Sequence, residues 1–426
     1  MSAKLTMLSN GVEGLFLKNS RFSTTLISFN FYLPLEREKV AQRALLPFIL
    51  TTCSKKYPDF SKLNYKLNKL YGATLEATAE KTGDLQLLKI SVSVIDDRYA
   101  LDNEPLTEQA CELLMRLIFE PKVENGAFFE EDVEREKRKA IEHIRGEFSD
   151  KRLYAKKRLI EEMYSDTVYG APKCGTEQEV ASLTGEQLYL AWKELIANAF
   201  VRVNVISSSL PQNLFSAITE RFEAVERCNI TDCHSTVPTA RALEVKDITE
   251  RMDVAQGKLA LGFSSDISGT DENTAHLYVM GDIFGGGPYS RLFANVREKM
   301  SLCYYCAAST IRVKGLLTVD SGVEEQNVEK ALSEILAQLD VVKRGEFDDF
   351  EFEASKKSIC DSLRSIDDSQ ATLDSWFSVK IANERIMTPL EFAQTVAEVT
   401  REQVVEAAKG IHLNTVYRLL PKLKED

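Results

Sequence analysis

The sequence predicts an α+β protein built from two tandem copies of one domain, each a mostly antiparallel sheet covered by helices. Three observations predict it. A segment recurs at an offset of 216 residues, alternating apolar runs open each half, and helical segments dominate the remainder. Strands and helices follow one another without strict β-α alternation, which favours helices packed on antiparallel sheets over a parallel doubly wound sheet.

The repeat is read from Glu179-Val-Ala-Ser-Leu-Thr-Gly-Glu-Gln-Leu188 and Thr395-Val-Ala-Glu-Val-Thr-Arg-Glu-Gln-Val404. Val, Ala, Thr, Glu and Gln recur at matching places. Each segment ends one helix and caps the next with a Thr followed in the first turn by Glu and Gln. Each following helix leads into a strand, 201–211 and 414–422. A second pair supports the first: Phe129-Glu-Glu-Asp and Phe347-Asp-Asp-Phe open charged helices at an offset of 218, which Lys139/Lys357 and Ile141/Ile359 keep.

Strands are expected at 24–33 and 84–95 in the first copy and at 258–265 and 315–323 in the second. Their apolar residues alternate or run short and dense between turn formers. Helices are expected at 104–119, 127–163 and 185–197, then at 326–343, 347–365 and 389–410. The copies divide into 1–227 and 249–426. The linker at 228–248 is short of apolar periodicity and contains Pro238.

The 426 residues, 44% of them hydrophobic, are enough for more than one core. Lys and Arg number 53 against 65 Asp and Glu, a net charge of −12. That balance argues against a general nucleic-acid binder and leaves room for a local basic groove. The N-terminal residues lack a basic stretch followed by an apolar run, and no window approaches the length of a membrane span. A cytoplasmic location is the expectation.

Eight cysteines in such a chain are read as reduced thiols. Cys303 and Cys306 stand in a strand-like run, where an odd offset sends their side chains to opposite faces. With Cys228, Cys233 and His234 they make a poor zinc site, since paired C-x2-C hooks are absent. None of the four histidines begins an H-E-x-x-H or H-x-x-E-H helix. Gly285-Gly286-Gly287 lacks the ending of a phosphate loop and reads as an inter-helix loop with positive-φ positions.

The run from Gly285 to Tyr304, GGGPYSRLFANVREKMSLCY, resembles the C-terminal-domain signature of the M16 (pitrilysin/insulinase/mitochondrial processing peptidase) family. Tyr169-Gly-Ala-Pro-Lys-Cys-Gly-Thr176 is similar to a second family segment. The resemblance spans nearly the whole chain. It implies two tandem LuxS/MPP-like metallohydrolase-type domains.

The resemblance places the family's zinc helix on Ala44-Leu-Leu-Pro-Phe48. Both histidine positions are then apolar, Ala44 and Phe48, and the catalytic glutamate position is Pro47. The third ligand position falls on His143, seven residues after Glu136, in a helix that still reads Glu134-Arg-Glu-Lys. Zinc catalysis needs three protein ligands and a polarised water. The N-terminal copy therefore carries a degenerate zinc site, with no catalytic residue and no metal of its own.

In the C-terminal copy the resemblance assigns substrate binding to Arg297 and Tyr304, which match the family in type and spacing. A guanidinium can hold a peptide carbonyl, and a phenol can donate to an oxyanion. A structural role, Arg297 at a helix end and Tyr304 in the core, is the alternative. The family glycine in this stretch is Ser301.

The implied role is that of a non-catalytic subunit of a heterodimeric M16 peptidase. It binds and positions a peptide or small-protein substrate, and zinc is expected on the partner chain that carries H-x-x-E-H. Within the family the chain is most similar to the bacterial YfmF-type group, accompanied by a YfmH-type partner and associated with modification of the translation factor EF-P. A homodimer is the alternative for the chain expressed alone. A peptide-binding or scaffolding protein without proteolysis is the second reading, and an independent thiol enzyme at Cys303 the third.

Overall fold

The computed structural model describes residues 2–233, 237–269, 273–381 and 386–422, so His234 lies outside the described residues. In chain order the first stretch holds β1 (Ser2–Ser9), β2 (Val12–Lys18), β3 (Thr24–Pro34), α1 (Val40–Leu50), α2 (Phe60–Lys69), β4 (Thr74–Thr82), β5 (Leu85–Ile95) and α3 (Leu106–Phe119). Then come β6 (Val123–Glu124), β7 (Ala127–Phe128), α4 (Glu130–Ser149), α5 (Lys151–Met163), α6 (Glu177–Ala181), α7 (Gly185–Asn198), β8 (Phe200–Ser207) and α8 (Leu214–Glu223). The second stretch holds β9 (Lys246–Met252), β10 (Gly257–Ser265), α9 (Thr274–Gly285), a π-helical segment (Leu292–Lys299), β11 (Cys303–Ile311) and β12 (Leu316–Val323). It ends with α10 (Val328–Lys343), α11 (Asp349–Ser365), α12 (Gln370–Val379), α13 (Pro389–Ala397), α14 (Arg401–Lys409) and β13 (Ile411–Pro421).

The duplication is visible in the sheets. The first runs β1-β2-β8-β3-β5-β4 and the second β11-β12-β10-β13-β9. Leaving β1 aside and reading the second from β9, the two orders match element for element. Each sheet has one parallel pair in the same place, β2 with β8 and β9 with β13. The other pairs are antiparallel. β4 and β11 are therefore equivalent edge strands.

The capping boxes that reveal the repeat form as expected. Thr184 and Gln187 cap α7, and Thr400 and Gln403 cap α14, each by reciprocal side-chain-to-backbone bonds.

The chain divides into two compact units. The first comprises Met1–Ile144, Ala171–Ser235 and Ser369–Ile386, and the second Arg145–Gly170, Thr236–Asp368 and Met387–Asp426. Each unit thus includes a helix from the other half of the sequence. In the first, Ile27, Phe29 and Phe31 on one face of β3 join the main core with Leu45, Leu114 and Leu195. The opposite face is polar and is covered by α12. Ser28 donates to Asp374 at 2.5 Å, Tyr32 to the Ser378 carbonyl at 2.8 Å, and Lys89 to Asp374 at 2.6 Å. In the second unit Ala155 and Leu159 of α5 pack with Ala260, Tyr417 and Leu419.

The single helix expected over 127–163 is two. Asp150 ends α4 and caps α5, accepting from the Arg152 and Leu153 N–H groups at 2.9 and 3.0 Å. The 389–410 segment is likewise divided at Thr400. Gly285, Gly286 and Gly287 do not have positive φ. Gly285 ends α9, and a Cβ there would stand 2.6 Å from Ala308 N, so close approach to β11 explains it.

Candidate functional site

In the first unit a cavity of about 410 Å³ is lined by Ala44 and Phe48 of α1, Ala77 and Ala79 of β4, and Glu136, Lys139 and His143 of α4. Lys173, Cys174 and Val180 complete one side. Gly175 lets that side approach α1: its φ is +75°, and a Cβ there would meet the Ala41 Cβ at 2.6 Å. Three of the four positions derived from the family resemblance thus border one space. Pro47, the fourth, is buried in α1 and does not line it.

The donor set does not fit zinc. Of Ala44, Pro47, Phe48 and His143, only His143 carries a ligand atom. The nearby carboxylate, Glu136, is buried and accepts from Lys139 at 2.9 and 3.2 Å and from Arg135 at 3.1 Å. Among the described residues no group of three His, Cys, Asp or Glu side chains could hold a metal ion.

The wall is chiefly alkyl, with Phe48 as its aromatic member and charged groups already in pairs. At the rim Lys173 lies 3.2 Å from Glu80. Sequence reasoning missed the β4 wall. Its signal is the period-2 pattern of TLEATAEKT, where Leu75, Ala77 and Ala79 are more buried than Glu76, Thr78 and Glu80.

In the second unit Arg297 stands near the end of the π-helical segment, whose Leu292 and Val296 are buried. Its guanidinium lies over the Phe293 ring at 4.6 Å, and its side chain is 41% exposed. Ser301 has φ +51°, the left-handed conformation that glycine adopts without cost. Across that turn the Leu302 N–H reaches the Val296 carbonyl at 3.1 Å. Tyr304 follows on edge strand β11 and is 64% exposed, so it is not a core residue.

A bulge at Tyr304 corrects the expectation for the two thiols. Cys303 pairs with Val323 and Tyr305 with Gly322, which leaves Tyr304 as the extra residue. The bulge resets the face alternation, and Cys303 and Cys306 are both buried on one side with their thiols hydrogen-bonded. The bond with Cys306 pulls the Cys303 thiol down to about 7 against the opposing effect of burial, with smaller contributions from Ser321 and the Arg297 charge. Cys306 is pushed well up by the same bond and by burial.

Elsewhere, Cys228 is exposed and Cys233 buried, and burial pushes the Cys233 thiol up to about 12. Lysines cluster on α2 and the residues just before it. Lys56, Lys62, Lys66 and Lys69 surround a shallow space with Tyr57 and Tyr65. No described helix is long and apolar enough to cross a membrane.

A family profile described as "Peptidase M16 inactive domain" matches residues 182–359. The chain is 32% identical over 412 residues to "Probable inactive metalloprotease YmfF" of Bacillus subtilis, covering 96% of each. The group expected as YfmF-type is thus that of YmfF. It is 25% identical over 246 residues to an uncharacterized zinc protease, YmxG, of the same organism, covering 56% of this chain and 58% of that one. Among solved structures, a conserved protein from Enterococcus faecalis V583 superposes with a TM-score of 0.92 at 26% identity, covering 100% of both chains. The fold is also that of a Pseudomonas fluorescens peptidase M16 inactive domain, with a TM-score of 0.79 at 16% identity over 100% of both. With Ala44, Pro47 and Phe48 offering no ligand atom and 96% of its length matched to an inactive relative, the chain belongs to the M16 peptidase family, among the inactive homologues of its zinc proteases.

Proposed function

We propose that this chain is the non-catalytic subunit of a two-chain M16 peptidase. It binds and positions an extended peptide, and a partner chain with an H-x-x-E-H helix supplies the zinc, its ligands and the glutamate base. One observation carries the reading. Of the positions derived for a metal centre only His143 carries a ligand atom, with an ion-paired Glu136 beside them, while Arg297 is half-exposed at the end of the π-helical segment and Tyr304 is exposed at the start of β11. A buried structural pair would not leave Tyr304 64% exposed.

In this role the Arg297 N–H groups donate to substrate carbonyls, which fixes the peptide against translation. The Tyr304 hydroxyl donates to the carbonyl oxygen as it gains charge under attack. The left-handed turn at Ser301 sets the approach of the two side chains. The test is Arg297→Ala in the complex purified with its partner. The reading expects peptide turnover to fall about tenfold or more with the two chains still associated. Unchanged turnover by an intact complex rejects the clamp and favours a scaffolding role.

A further inference from the structure

We propose that Cys303 and Cys306 form an oxidisable dithiol, which a hydroperoxide closes to an intrastrand disulfide and which thereby displaces Tyr304. The bond itself stands on the two thiols alone, and its effect on turnover rests on the peptide-positioning role of Tyr304 given above.

The bulge in β11 makes the pair. Cys303 pairs with Val323 and Cys306 with Ser321, two positions apart on β12. A regular strand would turn residues three apart to opposite faces. With Tyr304 as the extra residue the two cysteines share a face, separated by two strand steps, about 6.6 Å at ~3.3 Å per residue. That span lies inside the Cα separation of about 4.4–6.8 Å that a disulfide bridges. The thiols are already in hydrogen-bond contact, beside the buried Ser321. Ser321 donates to the Tyr305 carbonyl at 2.9 Å, which ties β12 to the bulge at the same place.

The two sulfurs differ in chemistry. Cys303 stands at the start of an edge strand, and the bond with Cys306 draws its thiol down to about 7. Cys306 lies deeper and is pushed well up by that bond and by burial, so it remains a thiol. A thiolate beside a resolving thiol is the arrangement that turns a sulfenic acid into a disulfide. By contrast, burial pushes the thiols of Cys53, Cys111 and Cys360 up and keeps them from reacting as thiolates.

The Cys303 thiolate attacks one oxygen of the hydroperoxide. The O–O bond breaks, the leaving alkoxide takes a proton and departs as an alcohol, and Cys303 becomes a sulfenic acid. The Cys306 sulfur then displaces the hydroxyl, which leaves as water with the Cys306 proton. Two thiols lose two electrons and two protons, and the hydroperoxide is reduced to one alcohol and one water. A disulfide holds its sulfurs at about 2.05 Å, closer than any thiol hydrogen bond. Closure draws the two flanking positions together, and the extra residue between them, Tyr304, takes up the change.

The first experiment treats the reduced full chain with hydrogen peroxide, blocks the remaining thiols with iodoacetamide and maps tryptic peptides. Both cysteines fall in the peptide 300–312. It is expected to be two hydrogens lighter and free of alkylation, to regain both labels after dithiothreitol, and to form about tenfold or more faster than Cys111 oxidises. Cys306→Ser should stop at a Cys303 sulfenic acid that dimedone traps. Two alkylated thiols after peroxide, or a Cys303 sulfinic acid beside a free Cys306, overturns the dithiol and leaves the peptide-positioning role untouched. The second experiment oxidises the complex purified with its partner. Peptide turnover should fall about fivefold or more and return with dithiothreitol, while a Cys303→Ser/Cys306→Ser complex keeps its turnover. Unchanged turnover with the disulfide formed, or an equal loss in the double variant, overturns the switch. Failure of the peptide-positioning role shows separately, as unchanged turnover in reduced Arg297→Ala.

Discussion

Lys139 donates to both carboxylate oxygens of Glu136, at 2.9 and 3.2 Å, within the wall of the cavity bordered by Ala44, Phe48 and His143. A buried carboxylate beside a potential metal position is thus paired with a cation from its own helix. Arg135 adds a second, at 3.1 Å. The charge that a divalent ion would satisfy is already satisfied by side chains.

That pairing predicts indifference to chelators. Exhaustive treatment of the isolated chain with EDTA should leave its thermal midpoint unchanged to within about 1 °C, since no structural metal contributes to folding. A fall of several degrees, reversed by zinc, would mean that other donors build a site.

Arg297 and Cys303 are linked electrostatically, and the link can be titrated. Alkylation of Cys303 by iodoacetamide, followed site by site by mass spectrometry, should rise as the thiolate forms through about pH 7. Cys111, buried and pushed up to about 12, should stay unreactive over the same range. Arg297→Ala removes a positive charge that favours the thiolate, so the Cys303 midpoint should move upward. A midpoint that stays in place would separate Arg297 from the thiol pair.

The turn at Ser301 stores strain that glycine would release. Ser301→Gly should stabilise the chain by about 0.5–1 kcal/mol, because the left-handed region is costly for any residue with a Cβ. Urea unfolding measures it. Destabilisation would show that the serine hydroxyl contributes more than the backbone loses.

Asp374 anchors α12 on the first sheet. It accepts from Ser28 at 2.5 Å, Lys89 at 2.6 Å and Asn204 at 2.7 Å, and it is almost wholly buried. Asp374→Ala leaves the partly buried Lys89 without its partner and should cost about 3 kcal/mol in urea unfolding. Replacing both, with Lys89→Met and Asp374→Leu, should cost less than the single change. A larger loss for the pair would place the stabilisation in the charges themselves.

Much of the fold is legible because local chemistry agrees with the final packing. The caps at Thr184 and Thr400 and the apolar runs of β3, β5, β10 and β12 depend on near neighbours, and they read correctly. The crossings of α5 and α12 depend on distant ones. Ser28 and Asn30 give β3 the alternation of a half-exposed strand, yet α12 buries them from 346 and 348 residues further along. The bulge at Tyr304 is invisible to a period-2 count, and for that reason the two thiols are misassigned to opposite faces. At the site, identities such as Ala44 and Phe48 reveal what chemistry is missing. That they border a cavity beside a free strand edge is a property of packing alone.

A zinc-bearing M16 partner is expected to work with this chain. The most direct measurement is mass spectrometry of what co-purifies with the tagged chain, expressed at native level in its own host. The expected result is a second protein in equal amount that carries an H-x-x-E-H helix, with one zinc per pair by metal analysis. Recovery of the chain alone or as a homodimer, with no zinc-bearing companion, would contradict it.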